Sequence, residues 1–478
     1  MVNCKLLKSV GVGAAAVAMA LSMNVALAGV SQQDAAKLGN SLTPFGGIKA
    51  GSKDGKIPAW TGGYTKVPAG YKKGDLVVPE FLNKEKPVVK ITGENYEKYK
   101  DHLTNGEIAL LKKYPGFYML VYPTHRTAAA PDWVNANTRQ NAENCKLINN
   151  GNGIDGCYGG LPFPIPKNGA ELEWNQRIPW VGQSFIEPFT AYIFTSNGKR
   201  EFVNAGFVRN RYPYYIKGNR EKWMKGPRRF QLGWEHTTEP PSANGQALLL
   251  YHYTRNNNNI KGWQYLVGQH RMRQAPRVVY DVPDFVVSGV NFFDEAFVHW
   301  GPFGRYNWKI VGEKELYIPY NENLVPTHPI KDLMPDGMHY LNPKYIRFEL
   351  HRVWVVKGTL KPGEREVEKT RIDYFDEDTG ETVWCDNYDS QGKLWHITWA
   401  LPFVMPDIPA VVNNAQWGTY NIQTGEVRYT GSHYMVRKTA NLYVPQNNQE
   451  IYQFSHEPAK PFPESMFNPF HVAAASAQ

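Results

Sequence analysis

From Phe189 onward the chain is cut into short apolar runs by turn residues, and this punctuation restricts the fold more than any other feature. Residues 189–194 and 201–208 flank Ser196-Asn197-Gly198. Asn-Gly between apolar runs predicts a hairpin, because both residues tolerate the positive φ of a tight turn. The pattern recurs: 246–254 and 262–273 flank an Asn-rich turn, and 367–375 and 382–388 flank Asp378-Thr379-Gly380. Gln391-Gly392 leads into 393–400, and Gln423-Thr424-Gly425 joins two final strands. Successive hairpins without long helical segments between them predict an antiparallel meander, curved or closed as a barrel. Residues 281–343 read as long loops around a strand at 305–318, and no fixed-period repeat or low-complexity tract occurs.

The N-terminal part is different. Ser31 followed by Asp34, and Thr104 followed by Glu107, read as capping boxes opening short helices near 32–38 and 107–113. A further helix is expected at 95–103, and Pro131 suits the first position of another that runs to about 146. Between the first two lies 43–89, dense in Gly, Pro and Lys and expected to be extended loop. The chain therefore divides into a leader at 1–28, a helix and loop region at 29–188 packing on the sheet, and a β meander with a C-terminal tail at 189–478.

The leader carries Lys5 and Lys8, an apolar stretch from Val10 to Val25, and then Ala26-Leu27-Ala28. A positive start, a short apolar core and small residues at −3 and −1 are what signal peptidase requires. Cleavage is expected after Ala28, releasing the protein into the periplasm. The alternative, an uncleaved anchor, is disfavoured by the short, Ala- and Gly-rich stretch. A lipoprotein would need a Cys at the new N-terminus, and Cys4 lies in the charged region instead. No later segment approaches 18 uninterrupted apolar residues, the length needed to span a bilayer. Loss of Lys5 and Lys8 lowers the formal net charge of +9 by two. In an exported chain that basic balance suits anionic lipid, lipopolysaccharide or an acidic partner surface, with peripheral membrane contact, and not nucleic acid.

Cys145 and Cys157 flank Asn149-Asn150-Gly151-Asn152-Gly153 and are a natural disulfide pair in an oxidising compartment. Cys385 is then an odd thiol in a strand; the alternative is that it pairs with one of the other two. The 14 Trp and 28 Tyr are an aromatic load common where β-sheets enclose an apolar cavity or present stacking surfaces.

The clearest strand spans 345–356. Its even positions, Ile346, Phe348, Leu350, Arg352, Trp354 and Val356, are expected to face inward, and Arg347, Glu349 and His351 outward. Phe348, Leu350, Arg352 and Trp354 are thus the candidate lining of a ligand cavity. A guanidinium facing an apolar interior needs a partner. For Arg352 this is either a carboxylate of a neighbouring strand, such as Asp373 or Asp386, or an anionic ligand headgroup.

Catalytic signatures are missing: there is no Gly-x-Ser-x-Gly, His-Glu-x-x-His, phosphate-binding glycine loop or paired Cys-x-x-Cys. The 13 histidines share no ligand-like spacing, so no metal or cofactor is expected. Carboxylates cluster at Asp373, Asp376, Glu377 and Asp378 and at Asp386 and Asp389. Paired carboxylates could hydrolyse glycosides, but here most sit at hairpin turns that Asp itself stabilises. The basic segment Lys222, Lys225, Arg228 and Arg229, interleaved with Trp223 and Phe230, could meet phosphate, although an ordinary solvated face is the simpler reading. The same holds for Arg209 and Arg211 with Tyr212, Tyr214 and Tyr215.

Several runs together carry a resemblance. They are Leu42-Thr43-Pro44, Ile57-Pro58-Ala59-Trp60-Thr61-Gly62-Gly63, Pro162-Phe163-Pro164-Ile165-Pro166-Lys167-Asn168-Gly169 and Tyr280-Asp281-Val282-Pro283-Asp284. The strand around Arg347–Val356, then Asp376-Glu377-Asp378 and Tyr388-Asp389, completes the set. The chain resembles the exported proteobacterial family known as domain of unknown function 1329, over nearly its whole length after the leader. The resemblance departs at Gly268-Gln269-His270-Arg271, where the family pattern has a Pro-Gly turn and paired arginines. It implies an α+β, mainly β fold like that of the LolA/LolB carriers of outer-membrane lipoproteins. That fold is a strongly curved antiparallel sheet or incomplete barrel with helices plugging the concave face. It also implies action beside inner-membrane RND-type exporters and outer-membrane partners, moving hydrophobic molecules, with no catalytic residues to carry over. A carrier of a lipid or another hydrophobic small molecule is the expected function. The alternatives are an envelope adaptor without its own ligand, or an enzyme on polysaccharide or lipid using Asp373 and Asp386.

Overall fold

The apolar runs form strands, and the strands join into one large sheet. A computed structural model describes residues 29–71, 76–255, 260–275, 279–431 and 461–477; the expected leader lies outside the described residues. In chain order the strands are β1 (Val89–Thr92), β2 (Tyr118–Tyr122), β3 (Lys146–Ile148), β4 (Gly153–Asp155), β5 (Ser184–Phe194), β6 (Arg200–Arg211) and β7 (Arg229–Glu239). There follow β8 (Ala247–Tyr253), β9 (Lys261–Leu266), β10 (Arg271–Gln274), β11 (Tyr306–Pro319), β12 (Arg347–Leu360) and β13 (Thr370–Asp376). The last are β14 (Thr382–Tyr388), β15 (Leu394–Ala400), β16 (Phe403–Met405), β17 (Ala410–Val412), β18 (Trp417–Asn421) and β19 (Val427–Gly431). Fifteen of them make a curved, open sheet in the order β1-β2-β12-β13-β14-β15-β18-β19-β5-β6-β7-β8-β9-β10, with β11 beside β12. The pairs β3–β4 and β16–β17 stand apart as small hairpins. The protein is therefore α+β and mainly β.

The sheet is mixed, because β12 is a branch point. β11 runs antiparallel along one edge of β12 nearly end to end. The other edge pairs first with β2, in parallel over Arg347–Glu349, and then with β13 over Val353–Thr359. The N-terminal region thus contributes two strands to the sheet. Turn chemistry acts where the sequence placed it: Gly198 and Gly425 hold φ of 78° and 82° in their hairpin loops, a conformation glycine adopts without steric cost.

Several local expectations change. The helix expected at 95–103 is two short 3-10 turns, Tyr96–Lys98 and Lys100–His102. The strand expected at 262–273 is broken by a 3-10 turn at Val267–Gln269, with His270 at φ 48°. The basic segment becomes a short helix, Arg220–Lys225, and the start of β7. Thr104 forms the expected capping box with Glu107 at the helix Asn105–Lys113. Cys145 and Cys157 are disulfide-bonded, Cα to Cα 4.7 Å, and Cys385 is free and buried in β14.

The two faces of the central strands are covered differently. On one, Tyr374, Trp384, Ile397, Trp399, Tyr420 and Tyr429 pack against Leu110 and Leu111 of the helix Asn105–Lys113 and against side chains between Leu316 and Leu341. On the other lie the helix Gly169–Arg177 and the segment 279–305. There Thr398 donates to the Val298 carbonyl (3.0 Å), and Leu172 packs against Val356 and Phe375. Among the described residues no helix is long and apolar enough to cross a membrane.

Candidate functional site

Strand alternation delivers large aromatics to the first face, and they surround a small recess. Phe117, Phe348, Trp384, Trp399, Leu401 and Tyr420 are among its walls, and its volume is about 10 Å³. That is room for one water molecule, whereas sites for drug-sized ligands occupy roughly 300–1,000 Å³. The apolar face is therefore closed by its own side chains and by the loops between β11 and β12.

Of the four residues expected to line a cavity, the structure brings two together. Phe348 lines the recess, and Leu350 belongs to the same apolar cluster. Trp354 packs on the opposite side with Leu172, Val356 and Phe375. The Arg352 guanidinium donates to the carbonyls of Ile48 (3.3 Å) and Ala50 (3.0 Å) and lies 3.7 Å from Glu315 of β11. Neither Asp373 nor Asp386 is its partner.

The expectation that Arg347, Glu349 and His351 point outward is overturned, since all three are buried at 6%, 0% and 1% exposure. The physical reason is the N-terminal segment, which lies over that side and supplies partners. Arg347 pairs with Glu85 (2.7 Å) and Glu349 (2.5 Å), and Asn321 donates to Glu349 (2.9 Å). Nearby, Arg126 grips Asp378 with two hydrogen bonds (2.7 and 2.5 Å). Buried charges with this degree of pairing are structural ties.

The carboxylates of the hairpin region are not a catalytic pair. In the register of β13 and β14, Asp373 sits opposite Cys385 and Asp386 opposite Ile372, so the two carboxyls leave opposite faces of the sheet. Asp386 accepts from Gly106 N (3.0 Å), Trp384 Nε1 (3.0 Å) and Tyr374 OH (3.0 Å). It locks the helix Asn105–Lys113 onto β14. Burial nevertheless raises its carboxyl to about 6.

The second face holds what sequence reasoning missed: a layer of ionisable groups with almost no solvent exposure. Arg371 pairs with Asp294 (2.9 Å) and Glu368 (3.4 Å). His396 is bonded to Glu295 (2.7 Å). The His299 imidazole lies 2.8 Å from Glu173, beside Asp373. Burial raises the carboxyls of Glu173 and Glu368 well above the usual range and Glu295 to about 8. Burial lowers His396 to about 4 and holds His299 well below its ordinary value, the latter helped by Arg371 and Arg177. Near neutral pH these imidazoles are uncharged, and several of the carboxyls hold protons. Glu173 comes from a helix the sequence did not announce, Asp294, Glu295 and His299 from a segment read as loop, and Glu368 from the start of the run read as a strand at 367–375. The available signal was the run of Asp294, Glu295 and His299 among aromatic residues.

An uncharacterized protein of Pseudomonas aeruginosa is 38% identical over 391 residues, 80% of this chain and 83% of its own length. Among solved structures, a DUF1329 family protein from Desulfovibrio piger is similar at 12% identity and a TM-score of 0.33, covering 52% of this chain and 83% of that one. A LolA superfamily protein from Nitrosomonas europaea is similar at 10% identity and a TM-score of 0.32, covering 63% and 98%. The model of the family described as "Protein of unknown function (DUF1329)" matches residues 90–469, most of the sequence from β1 to the last helix. This chain belongs to that family.

Proposed function

We propose that the protein binds a lipid or another hydrophobic molecule and carries it through the cell envelope, between inner and outer membrane. The observation that carries this reading is the aromatic recess on the apolar face, walled by Phe348, Trp384 and Trp399 and roofed by loops and one short helix in place of a second sheet. Burying a sixteen-carbon chain contributes about 12 kcal/mol at roughly 0.8 kcal/mol per methylene. A micromolar carrier needs about 8 kcal/mol net. The roof must therefore lift, with all costs of association, for about 4 kcal/mol or less.

One observation favours a second reading. A recess of about 10 Å³ is what an envelope adaptor would have, bridging an RND-type inner-membrane transporter and an outer-membrane protein without its own ligand. Native mass spectrometry with organic extraction, on protein purified from periplasm without detergent, separates the two. A stoichiometric hydrophobic molecule supports the carrier and names its class. A clean apo mass with no uptake of added fatty acids or phospholipids refutes it.

A further inference from the structure

Among the described residues, three clusters of buried histidine and carboxylate lie in the sheet layers, and their hydrogen bonding differs. In His351, Asp376 and Asp378 the carboxylates are committed: Asp378 to Arg126, and Asp376 to Thr379 (2.8 Å) and Tyr320 (3.3 Å). In Glu295, Glu368 and His396, Glu295 caps Phe292 N (2.6 Å) and holds the imidazole (2.7 Å). The third cluster is Glu173 from the helix Gly169–Arg177, His299 from the covering segment and Asp373 from β13. Its ligand atoms lie within 4.8 Å of one another, and each residue is at most 2% exposed.

In this third cluster most of the polar atoms are without hydrogen bonds. Glu173 Oε1, both oxygens of Asp373 and both ring nitrogens of His299 are buried and unbonded. The 2.8 Å approach of His299 Nδ1 to Glu173 is a close contact, not an aligned bond. Arg371 hydrogen-bonds to Asp294 and acts on Glu173 and Asp373 through its charge alone. Buried polar atoms left without partners are rare in folded proteins, and this cluster holds five of them. A cation in their midst would take one oxygen from each carboxylate and one ring nitrogen of His299.

We propose that Glu173, His299 and Asp373 bind a divalent transition-metal ion of the zinc class. Two carboxylate oxygens and one imidazole nitrogen are the donor types such an ion takes. Calcium needs 6–8 oxygen ligands and does not fit a set this small with a nitrogen among them. The ion would tie the helix Gly169–Arg177 and the covering segment to β13, three elements remote in sequence.

The test is the metal content of the full chain purified from the periplasm of cells grown with added zinc. It is read by elemental analysis and native mass, beside His299→Gln and Asp373→Asn checked for fold by circular dichroism. The expected result is one zinc per wild-type chain, lost in either folded variant. Zinc at a hundredfold excess over its Kd should raise the wild-type Tm by about 3 °C relative to metal-free protein. The wild-type measurements do not depend on either variant folding. A folded wild-type chain free of metal under these conditions overturns the proposal. So does one zinc per chain that persists in both folded variants.

Discussion

Arg371 is the cation on which the buried layer depends, and its replacement by Met gives a worked prediction. The side chain is fully buried, 2.9 Å from Asp294 and 3.4 Å from Glu368. Methionine fills much of the volume but strands two carboxyls beneath the sheet. Removing one partner of a buried ion pair typically costs about 3–5 kcal/mol. Unfolding entropy of about 2.1 cal/mol/K per residue makes that a fall in Tm of roughly 3–5 °C for a chain of this length. The pH dependence carries the mechanism. Burial already raises both carboxyls in the folded protein, and Arg371 opposes that rise. Without it both go higher, so the folded variant holds protons that the unfolded chain releases from about pH 4 upward. A folded state that binds more protons loses stability as pH rises. Thermal unfolding followed by circular dichroism should show a larger deficit at pH 8 than at pH 5. A deficit under 1 °C at both, or a larger one at pH 5, would refute the assignment of Arg371 as the neutralising cation.

Other outcomes follow from single features. Replacing Cys145 and Cys157 with Ser should cost about 3 kcal/mol in the chain-entropy model, read as a lower denaturant midpoint under oxidising conditions; an unchanged midpoint counts against a constraining role. A Cβ at Gly106 would sit 2.3 Å from Asp386 Oδ1. Gly106→Ala should therefore destabilise by about 1–3 kcal/mol, although alanine favours a helix, and a stabilised variant would contradict the Asp386 lock. Phe348→Ala should cost about 3–5 kcal/mol and enlarge the recess, increasing uptake of a fluorescent fatty acid if the recess is the entry point; equal uptake by folded wild type and variant would place entry elsewhere. Amide hydrogen exchange should be faster over 316–341, roofing the apolar face, than over 284–299, which is pinned by buried ion pairs; the reverse order would argue against opening at the recess.

Much of the fold was legible because its signals are local. Asn197-Gly198 and Thr424-Gly425 fix hairpins from within four residues, and Thr104 with Glu107 starts a helix from within three. The branch at β12 was not legible. β2 reaches Arg347–Glu349 from more than 200 residues away, and nothing in its five residues marks that partner. The same blindness produced the error over Arg347, Glu349 and His351. Period-two alternation identifies two faces, but a polar face reads as solvent unless its covering segment is visible, and here that segment comes from the opposite end of the chain. The network around Arg371 was hidden for the same reason, since Glu173, Asp294 and His299 lie 70 or more residues before it.

The two faces bear on how such a protein could take up a ligand. Lifting the cover of the second face would separate Arg371 from Asp294 and His396 from Glu295, and exposure of one polar partner without the other is costly inside a low-dielectric layer. Lifting the loops over the apolar face would break side-chain packing and hydrogen bonds such as Asn323 to the Val77 and Val404 carbonyls and Leu341 N to Tyr420 OH. It would break no ion pair of the Arg371 kind, and an incoming acyl chain would replace the packing. On the carrier reading, with about 4 kcal/mol available for opening, the apolar face is the cheaper one to move. The charged face then acts as the fixed frame, and a metal at Glu173, His299 and Asp373 would stiffen it further. A stable open sheet with one rigid side and one exchangeable side is sufficient for a carrier, and it requires no catalytic group.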